Sequence, residues 1–331
     1  MATTLRGGIV GCGFFGQIQL EAWRRIPGVE MVAAADADIA RAHRCGLRAH
    51  ASLAEMLDRE RLDFVDIATR PDSHPELVRR AVERHIPVIC QKPMANTWAE
   101  AVEMAELADA HRTRVMIHEN WRWQPWYREA KRLIADGTLG RPLAYLLRSR
   151  RNDGRGAVPY PNQPYFNSMP RLLIFEMLIH QIDTARFLFG DIRAVYAETQ
   201  RLNEHLTGED RAVLTLTHEG VLTGVVDGHR YLDPLTTALA TLEGEEGTLS
   251  IFDNGEVWFN GRRILAADQT PGYKGDSVRA TQEHFVRCLR SGAPFETSAR
   301  EYLKTFGVME AAYRSAASGR KIRLGADGSP E

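Results

Sequence analysis

The segment Ile9-Val10-Gly11-Cys12-Gly13-Phe14-Phe15-Gly16 decides the fold of this chain, because it places the pattern G-x-G-x-x-G between a short apolar run and a predicted helix. In such a turn Gly11 permits a tight passage from strand to helix. Gly13 lets a pyrophosphate approach the backbone without meeting a Cβ atom, and Gly16 lets the helix pack close to the sheet. The N-terminus of the helix offers N–H groups and a partial positive charge to phosphates. We therefore predict a dinucleotide-binding loop formed by Gly11, Cys12, Gly13, Phe14, Phe15 and Gly16.

An acidic residue follows the loop at the distance that a dinucleotide site requires. The apolar run 30–35 ends at Asp36, twenty residues after Gly16. A carboxylate at this place accepts hydrogen bonds from both ribose hydroxyls of an adenosine and repels a 2′-phosphate. The next four residues, 37–40, include no Arg or Lys. The pattern favours NAD over NADP, and the alternative is a chance glycine turn in another α/β protein.

Length and composition restrict the class of protein. The chain has 331 residues, of which 44% are hydrophobic and 26% charged, as expected for a globular protein with two domains. A net charge of −1 gives no electrostatic reason to expect nucleic acid or a membrane surface as a partner. Four cysteines without C-x-x-C spacing predict reduced thiols in the cytoplasm. We expect no secretion signal, no spanning segment and no zinc site.

Hydrophobic periodicity predicts two domains and a short tail. Residues 1–120 alternate strand and helix signals, which predicts an α/β Rossmann domain with a parallel sheet. Residues 121–324 carry strand-like runs with alternating polar and apolar side chains, which predicts an α+β domain with a large, mainly antiparallel open sheet. Residues 325–331 are rich in Gly, Ser and Pro, so we expect a loosely ordered tail. The strands predicted in the first domain are 7–11, 30–35, 62–68, 86–90 and 114–118.

Lys92 lies two residues after the strand predicted at 86–90, within Cys90-Gln91-Lys92-Pro93-Met94. Ligands of open α/β sheets bind outside the carboxyl ends of the strands, so we expect Lys92 to face the crevice where a nicotinamide would lie. A lysine at this place can handle a proton. The alternative is an ordinary solvated lysine at a strand end.

A second group of reactive side chains lies within the apolar-rich run 172–189. Glu176, His180 and Asp183 are spaced i, i+4 and i+7, which predicts that they share one face of a helix. A histidine with carboxylates one turn away can act as a base whose tautomer and charge they set. The same triplet could hold a metal ion, although no H-E-x-x-H motif or cysteine cluster supports that interpretation. A satisfied core histidine is the third alternative.

These motifs resemble those of the glucose–fructose oxidoreductase / inositol dehydrogenase / MocA family, and the resemblance extends over nearly the whole chain. Gln91-Lys92-Pro93 is similar to the E-K-P motif of the family, 176–183 to its D-x-G-x-H-x-x-D helix, and 136–140 to its link into the second domain. The resemblance implies a nicotinamide cofactor and a homodimer or homotetramer built through the sheet of the second domain. Within the family, 11–15, 90–93 and 118–124 are most similar to members like D-apiose dehydrogenase.

The resemblance also assigns roles to single residues. Lys92 corresponds to the active-site lysine, His180 to the catalytic acid/base, and Glu176 to an acid that binds substrate or orients the histidine. Gln91 replaces the usual Glu, and Glu176 replaces the usual Asp while Leu178 replaces a frequent Gly, so we expect a reshaped pocket floor. Further cofactor ligands are expected at Thr69, His74, Gln91 and Lys92.

The function that follows is NAD-dependent oxidation of a sugar or polyol hydroxyl. Lys92 and His180 are expected to converge on the same alcohol and to take its proton. Aromatic and polar side chains suit a sugar pocket, and the substrate ligands predicted besides Lys92, Glu176 and His180 are Trp121, Arg122, Trp123, Asn152, Arg155 and Tyr160. A catalytically inert dinucleotide sensor, a glycoside hydrolase that retains NAD, and an isomerase or a reductase acting in the other direction are the alternatives.

Overall fold

The computed structural model describes residues 3–232 and 238–331, and the chain divides into two compact units. The first unit comprises Met1–Asn120 together with Pro271–Leu303, and the second comprises Trp121–Thr270 together with Lys304–Glu331. This division differs from the contiguous domains predicted at 1–120 and 121–324, because a later segment of the chain returns to the first unit.

Strands and helices alternate through the first unit up to residue 118. They are β1 (Leu5–Val10), α1 (Phe14–Trp23), β2 (Val29–Ala35), α2 (Ile39–Arg44), β3 (Arg48–His50), α3 (Leu53–Arg59), β4 (Phe64–Ile67), α4 (His74–Val82), β5 (Val88–Gln91), α5 (Trp98–Ala110) and β6 (Val115–His118). Within the described residues these strands form a parallel sheet in the order β3-β2-β1-β4-β5-β6. The Rossmann prediction is confirmed. The strand order reverses between β1 and β4, where open α/β sheets bind ligands at the carboxyl ends of their strands.

Local sequence explains where two of these helices begin. Thr97 caps α5 in a capping box, in which its hydroxyl accepts from the Glu100 N–H while the Glu100 carboxylate accepts from the Thr97 N–H. Ser52 caps α3 in the same way, but the carboxylate of Glu55 reaches back to the N–H of Ala51 instead of the capping residue. The edge strand β3 was not predicted, because its three residues are too few to show a period.

The second unit is built around a large mixed sheet. After residue 120 the chain forms α6 (Pro125–Ala135), β7 (Pro142–Arg150), a π-helix (Leu173–Leu178), α7 (Ile179–Phe189), β8 (Ile192–Gln200), β9 (Arg211–His218), β10 (Thr223–His229), β11 (Ala240–Gly244), β12 (Gly247–Ile251), β13 (Val257–Phe259) and β14 (Arg262–Leu265). There follow α8 (Ser277–Ser291), which belongs to the first unit, then α9 (Ala299–Ser318) and β15 (Ile322–Arg323).

In the part of the chain that the structure describes, the strands of the second unit are ordered β14-β13-β12-β11-β7-β10-β9-β8-β15. β7 and β10 run parallel, and the other neighbouring strands whose register is resolved run antiparallel. The prediction of a large, mainly antiparallel sheet is therefore confirmed. Among the helices of the described residues, none combines the length and the apolar character needed to cross a bilayer.

The segment that returns to the first unit does so because its apolar side chains complete that core. Phe285 on α8 lies with its ring 5.4 Å from Phe64 and 6.3 Å from Trp23, between ring centroids. Phe295 stacks on Phe285 at 5.2 Å, and all four rings belong to one buried cluster. The helical period of α8 shows that it is amphipathic but carries no signal of the unit that it packs against.

The tail predicted to be loosely ordered is instead folded into a turn. Leu324 and Pro330 pair as an antiparallel bridge, and the Asp327 carboxylate accepts hydrogen bonds from the N–H and hydroxyl of Ser329. The glycine and serine content of 325–331 therefore reflects turn formation rather than loss of structure.

A buried carboxylate ties the helix of the glycine loop to the sheet. Asp66 on β4 is fully buried, and it accepts hydrogen bonds from the Trp23 indole N–H at 2.6 Å and the Gln19 amide at 3.1 Å, both on α1. Burial raises the pKa of Asp66 to about 7, although the two donors oppose this shift. The folded protein therefore holds a proton on Asp66 in the range between the ordinary pKa of an aspartate and about 7.

We expect the free energy of unfolding to fall as the pH rises through this range. The proton held by folded Asp66 is released on unfolding, so its stabilising effect is complete below the ordinary aspartate pKa and is lost as the pH approaches about 7, at up to about 1.4 kcal/mol per pH unit. Asp66→Asn should flatten this dependence in denaturant unfolding measured from pH 4 to 8. Asp58→Asn, which changes a carboxylate that is 62% exposed, is the control and should keep the wild-type slope. An Asp66→Asn slope equal to that of the wild type would contradict the assignment.

Candidate functional site

The glycine loop has the geometry predicted for it. Gly11 adopts a φ of +91°, and a Cβ there would lie 2.7 Å from the carbonyl carbon and oxygen of Ala68. A Cβ on Gly16 would lie 2.0 Å from the carbonyl oxygen of Gly11, so α1 can begin this close to β1 only with glycine. A Cβ on Gly13 would meet no heavy atom of the described residues within 4 Å. The loop is therefore tight on its inner side and open where a pyrophosphate would approach.

Asp36 is attached to the loop by a backbone hydrogen bond. Its Oδ2 atom accepts from the Cys12 N–H at 2.8 Å, and its Oδ1 atom accepts from the Asp38 N–H at 2.9 Å. Each oxygen of an ionised carboxylate has a further lone pair, so both can still accept from ribose hydroxyls. The Cys12 side chain is buried with its thiol near the Ala35 carbonyl, so Cys12 presents its backbone to this site.

The two phenylalanines of the loop differ in exposure. Phe14 begins α1 with 53% of its surface exposed, whereas Phe15 packs edge-on against Tyr273 and His118 at centroid distances of 5.6 and 6.3 Å. Phe15 therefore packs the start of α1 against Tyr273 and His118 within the first unit. Phe14 is the side chain of this pair with surface available to a ligand.

Gln91 and Lys92 lie at the carboxyl end of β5, as predicted. The Gln91 side chain is 6% exposed, and its Oε1 atom accepts from the Lys92 N–H at 2.7 Å. Its Nε2 atom is buried and has no hydrogen-bond partner among residues 3–232 and 238–331. A buried amide donor without a partner is costly unless a ligand accepts from it. Lys92 itself is half-buried.

Thr69 and His74 differ in what they can offer a cofactor. Thr69 is half-buried after β4, and its hydroxyl accepts from Ser73 at 2.7 Å. His74 is fully buried, with Nδ1 3.0 Å from the Pro93 carbonyl oxygen and Nε2 3.1 Å from the Thr69 carbonyl oxygen. Burial lowers the pKa of His74 to about 4, so the ring is neutral at pH 7. His74 therefore joins the segments that carry Thr69 and Lys92, and its ring has no exposed surface for the cofactor contact that was predicted.

Taken together, these residues fit a nicotinamide dinucleotide. Gly13 leaves room for a pyrophosphate at the N-terminus of α1, and Asp36 keeps lone pairs for ribose hydroxyls. The Gln91 amide supplies a buried donor at the carboxyl end of β5, where a nicotinamide ribose is expected. All of these groups belong to the first unit.

In the second unit, Glu176 and His180 lie on two different kinds of helix. Residues 173–178 form a π-helix, in which hydrogen bonds run i→i+5, and α7 begins only at Ile179. The predicted single α-helical face through Glu176, His180 and Asp183 is therefore interrupted between the first two residues. Glu176 is 5% exposed and His180 is half-buried. Irregular π turns of this kind are common at functional sites.

A carboxylate that was not predicted holds the start of the π-helix. Glu209 accepts hydrogen bonds from the N–H groups of Leu172 and Ile174, the latter at 3.0 Å, and from the Tyr313 hydroxyl at 2.5 Å. A negative charge is favourable at a helix N-terminus, where N–H groups lack partners within the helix. Glu209 lies two residues before β9 in a region without periodicity, so the sequence carries no signal for this role.

Arg122 has a different task from the substrate binding predicted for it. Its guanidinium donates from Nε and Nη2 to the two carboxylate oxygens of Asp183, each at 2.7 Å, and the side chains are 7% and 0% exposed. Thr305 also donates to Asp183, at 3.0 Å. The charge of Asp183 is therefore balanced by Arg122, and this carboxylate serves the packing of α7.

The two tryptophans beside Arg122 have one face of their rings covered. Trp121 stacks on the His180 imidazole, with 4.6 Å between ring centroids and 19° between ring planes. The Arg128 guanidinium lies 3.5 Å from the centroid of Trp123. Both tryptophans are half-buried, so each keeps some surface for a ligand.

The loop 149–170 contains exposed and buried candidates. Asn152 and Arg155 are exposed and stay predicted substrate ligands. Tyr160 is 3% exposed and belongs to a small core with Phe166, Leu172 and Leu206. It therefore stabilises the loop, which differs from the substrate binding that was predicted for it. The described residues contain no group of three or more His, Cys, Asp or Glu side chains arranged to hold a metal ion.

Comparison with known proteins identifies the family. Residues 5–119 match the family model described as an oxidoreductase family with an NAD-binding Rossmann fold, and residues 127–250 match the GFO/IDH/MocA C-terminal domain. The chain is 38% identical to a D-apiose dehydrogenase of Paraburkholderia graminis over 96% of its own length and 89% of that protein. It is 33% identical to a D-apiose dehydrogenase of Rhizobium rhizogenes, with 98% and 99% of the two chains covered.

A solved structure shares the whole fold. An oxidoreductase from Agrobacterium radiobacter, determined in complex with NAD⁺, L-tartaric acid and magnesium, superposes with a TM-score of 0.90 at 31% identity, covering 97% of this chain and 98% of that one. The family that the motifs predicted is confirmed, and the cofactor is NAD. The chain belongs to the GFO/IDH/MocA oxidoreductases with an NAD-binding Rossmann fold.

Proposed function

We propose that this protein oxidises a hydroxyl of a sugar or polyol with NAD as the hydride acceptor, and that D-apiose is the first substrate to test. The observation that carries the proposal is the end of β5, where Lys92 follows a buried Gln91 amide whose Nε2 atom has no partner among the described residues. The two relatives named D-apiose dehydrogenase support an aldose as the substrate class.

In the proposed mechanism the chain supplies proton transfer and charge. Bound NAD supplies the site that accepts hydride. Oxidation of an alcohol at neutral pH needs a base for the hydroxyl proton and a positive charge for the developing alkoxide. We assign these roles to His180 and Lys92, and we assign Glu176 to substrate binding or to orienting the histidine. Trp123, Asn152 and Arg155 stay candidate substrate ligands.

The proposal includes a homodimer or homotetramer built through the sheet of the second unit. On β9 the side chains at 212, 214, 216 and 218 are buried, while those at 211, 213, 215 and 217 are half-buried. An alternating strand of this kind has a second face that a further layer can cover. Light scattering in solution would distinguish these assemblies from a monomer.

A cytoplasmic location is also proposed, in keeping with four cysteines that are all free thiols.

A turnover assay tests the proposed function. Purified protein is mixed with NAD and D-apiose, other aldoses and polyols, and NADH is followed by its absorbance. Formation of NADH with at least one sugar or polyol is expected. Protein that retains NAD through dialysis, releases no net NADH and cleaves glycosides would support the hydrolase alternative. Binding of NAD without turnover of any substrate would support the sensor.

We expect Lys92→Ala and His180→Ala each to lower kcat by about 10²–10⁴-fold, the range of general acid–base contributions. The Kd for NAD should change by less than about threefold, because the affinity arises mainly at the glycine loop and Asp36. Stopped-flow or steady-state kinetics and a fluorescence titration with NADH measure the two effects. Lys321→Ala, at an exposed lysine of the second unit, is the control with wild-type kcat. A Lys92→Ala variant with wild-type kcat would remove Lys92 from the mechanism.

Asp36 should determine the preference for NAD over NADP. Asp36→Asn keeps an oxygen that can accept from the Cys12 N–H but removes the charge that repels a 2′-phosphate. We expect the ratio of kcat/KM for NAD to that for NADP to fall by about 10-fold, equivalent to ~1.4 kcal/mol. Asp38→Asn, two residues away and exposed, is the matched control and should leave the ratio unchanged. An unchanged ratio in Asp36→Asn would show that other residues select the cofactor.

A further inference from the structure

We propose that Trp121 positions the His180 imidazole for proton transfer and does not serve as a stacking platform for the substrate. The inference rests on the proposed function, since it assigns a partner to the histidine that carries the proton. It is derived from contacts within the second unit alone.

The His180 imidazole covers one face of the Trp121 indole. The ring centroids of Trp121 and His180 are 4.6 Å apart and the planes are inclined by 19°, which is a nearly parallel contact. A sugar that stacks on an aromatic residue covers the same kind of ring face. The imidazole therefore competes with a sugar for one of the two faces of Trp121.

The indole is fixed at its edge as well as at its face. Trp121 and Tyr127 are hydrogen-bonded through their side chains, and since an indole nitrogen can only donate, its N–H donates to the Tyr127 hydroxyl. Tyr127 is 1% exposed on α6, so this anchor is part of the packed interior. A ring held at face and edge restricts its neighbour more than a mobile surface tryptophan would.

One ion pair joins the two segments that carry the stacked rings. Arg122 directly follows Trp121, and Asp183 lies one helical turn after His180 on α7. The two hydrogen bonds of 2.7 Å between Arg122 and Asp183 therefore fix the short 121–123 turn to the helix that carries the histidine. Bidentate pairs of this kind fix orientation as well as distance.

A fixed ring plane has a catalytic consequence. Stacking on one face opposes rotation of the imidazole about its bond to Cβ, so its nitrogen atoms stay in one plane and point in a constant direction. Small errors in the position of a reacting group cost as much as 10²-fold in rate. Loss of the indole should therefore reduce kcat, whereas loss of a substrate platform would raise KM.

The kinetic test compares two substitutions at Trp121. Trp121→Leu should lower kcat by about 10–100-fold with KM changed less than about threefold, and Trp121→Phe, which keeps an aromatic face, should recover most of kcat. In a His180→Ala background, Trp121→Leu should cause no further loss, because the effect passes through the histidine. Trp258→Leu, on strand β13 of the same unit, is the control for loss of a tryptophan. A rise in KM at constant kcat would overturn the proposal in favour of a substrate platform.

A second readout does not depend on turnover. In the wild type, the ring protons of His180 lie over the indole face, so their NMR resonances should be displaced upfield and should move downfield in Trp121→Leu but not in Trp258→Leu. Unmoved resonances would overturn the proposal even in a well-folded variant. If the wild type turns over no substrate, the proposed function fails while these resonances still decide whether the stack exists. An active wild type with an unaffected Trp121→Leu would refute this inference alone.

Discussion

The ion pair between Arg122 and Asp183 is the interaction on which the second unit's candidate site depends. Both side chains are withdrawn from water, and removing one partner of such a pair typically costs about 3–5 kcal/mol because the other charge is left buried and uncompensated. Burying the pair therefore carries a large desolvation cost. In exchange, the bidentate contact fixes both the distance and the orientation of two segments, the turn that carries Trp121 and the helix that carries His180. At the other end of the same helical segment, Glu209 binds N–H groups at the start of the π-helix.

The first unit uses the same principle around its glycine loop. Asp66 accepts hydrogen bonds from Trp23 and Gln19 on α1, while Asp36 accepts a hydrogen bond from the Cys12 N–H in the loop. Neither carboxylate has been assigned a proton-transfer role. Each instead fixes the position of a neighbouring element, which is α1 for Asp66 and the backbone of the glycine loop for Asp36.

Sequence predicted those parts of the protein that depend on local backbone geometry. The glycine loop, Asp36 and Lys92 were predictable because strand ends, turn glycines and short spacings express their constraint in neighbouring residues. Arg122 and Asp183 are 61 residues apart, and the burial that makes them a pair depends on tertiary packing that no local period records. The π-helix was missed for a related reason, since its apolar residues also fit an α-helix. Tyr160 was predicted to be a ligand by residue type, and only the packed loop reveals it as core.

The hydrogen bonds of Gln91 explain what changes when glutamine replaces the glutamate that is usual in the family. The side chain accepts from the Lys92 N–H through Oε1 and still presents an N–H donor through Nε2. The glutamate usual in the family could accept from the same backbone group but would have no donor when ionised, and it would add a negative charge beside the lysine. With glutamine, residue 91 adds no negative charge beside Lys92, the residue that we propose stabilises a developing alkoxide. Glutamine therefore keeps a contact to the backbone N–H of Lys92 and changes the electrostatics beside that lysine.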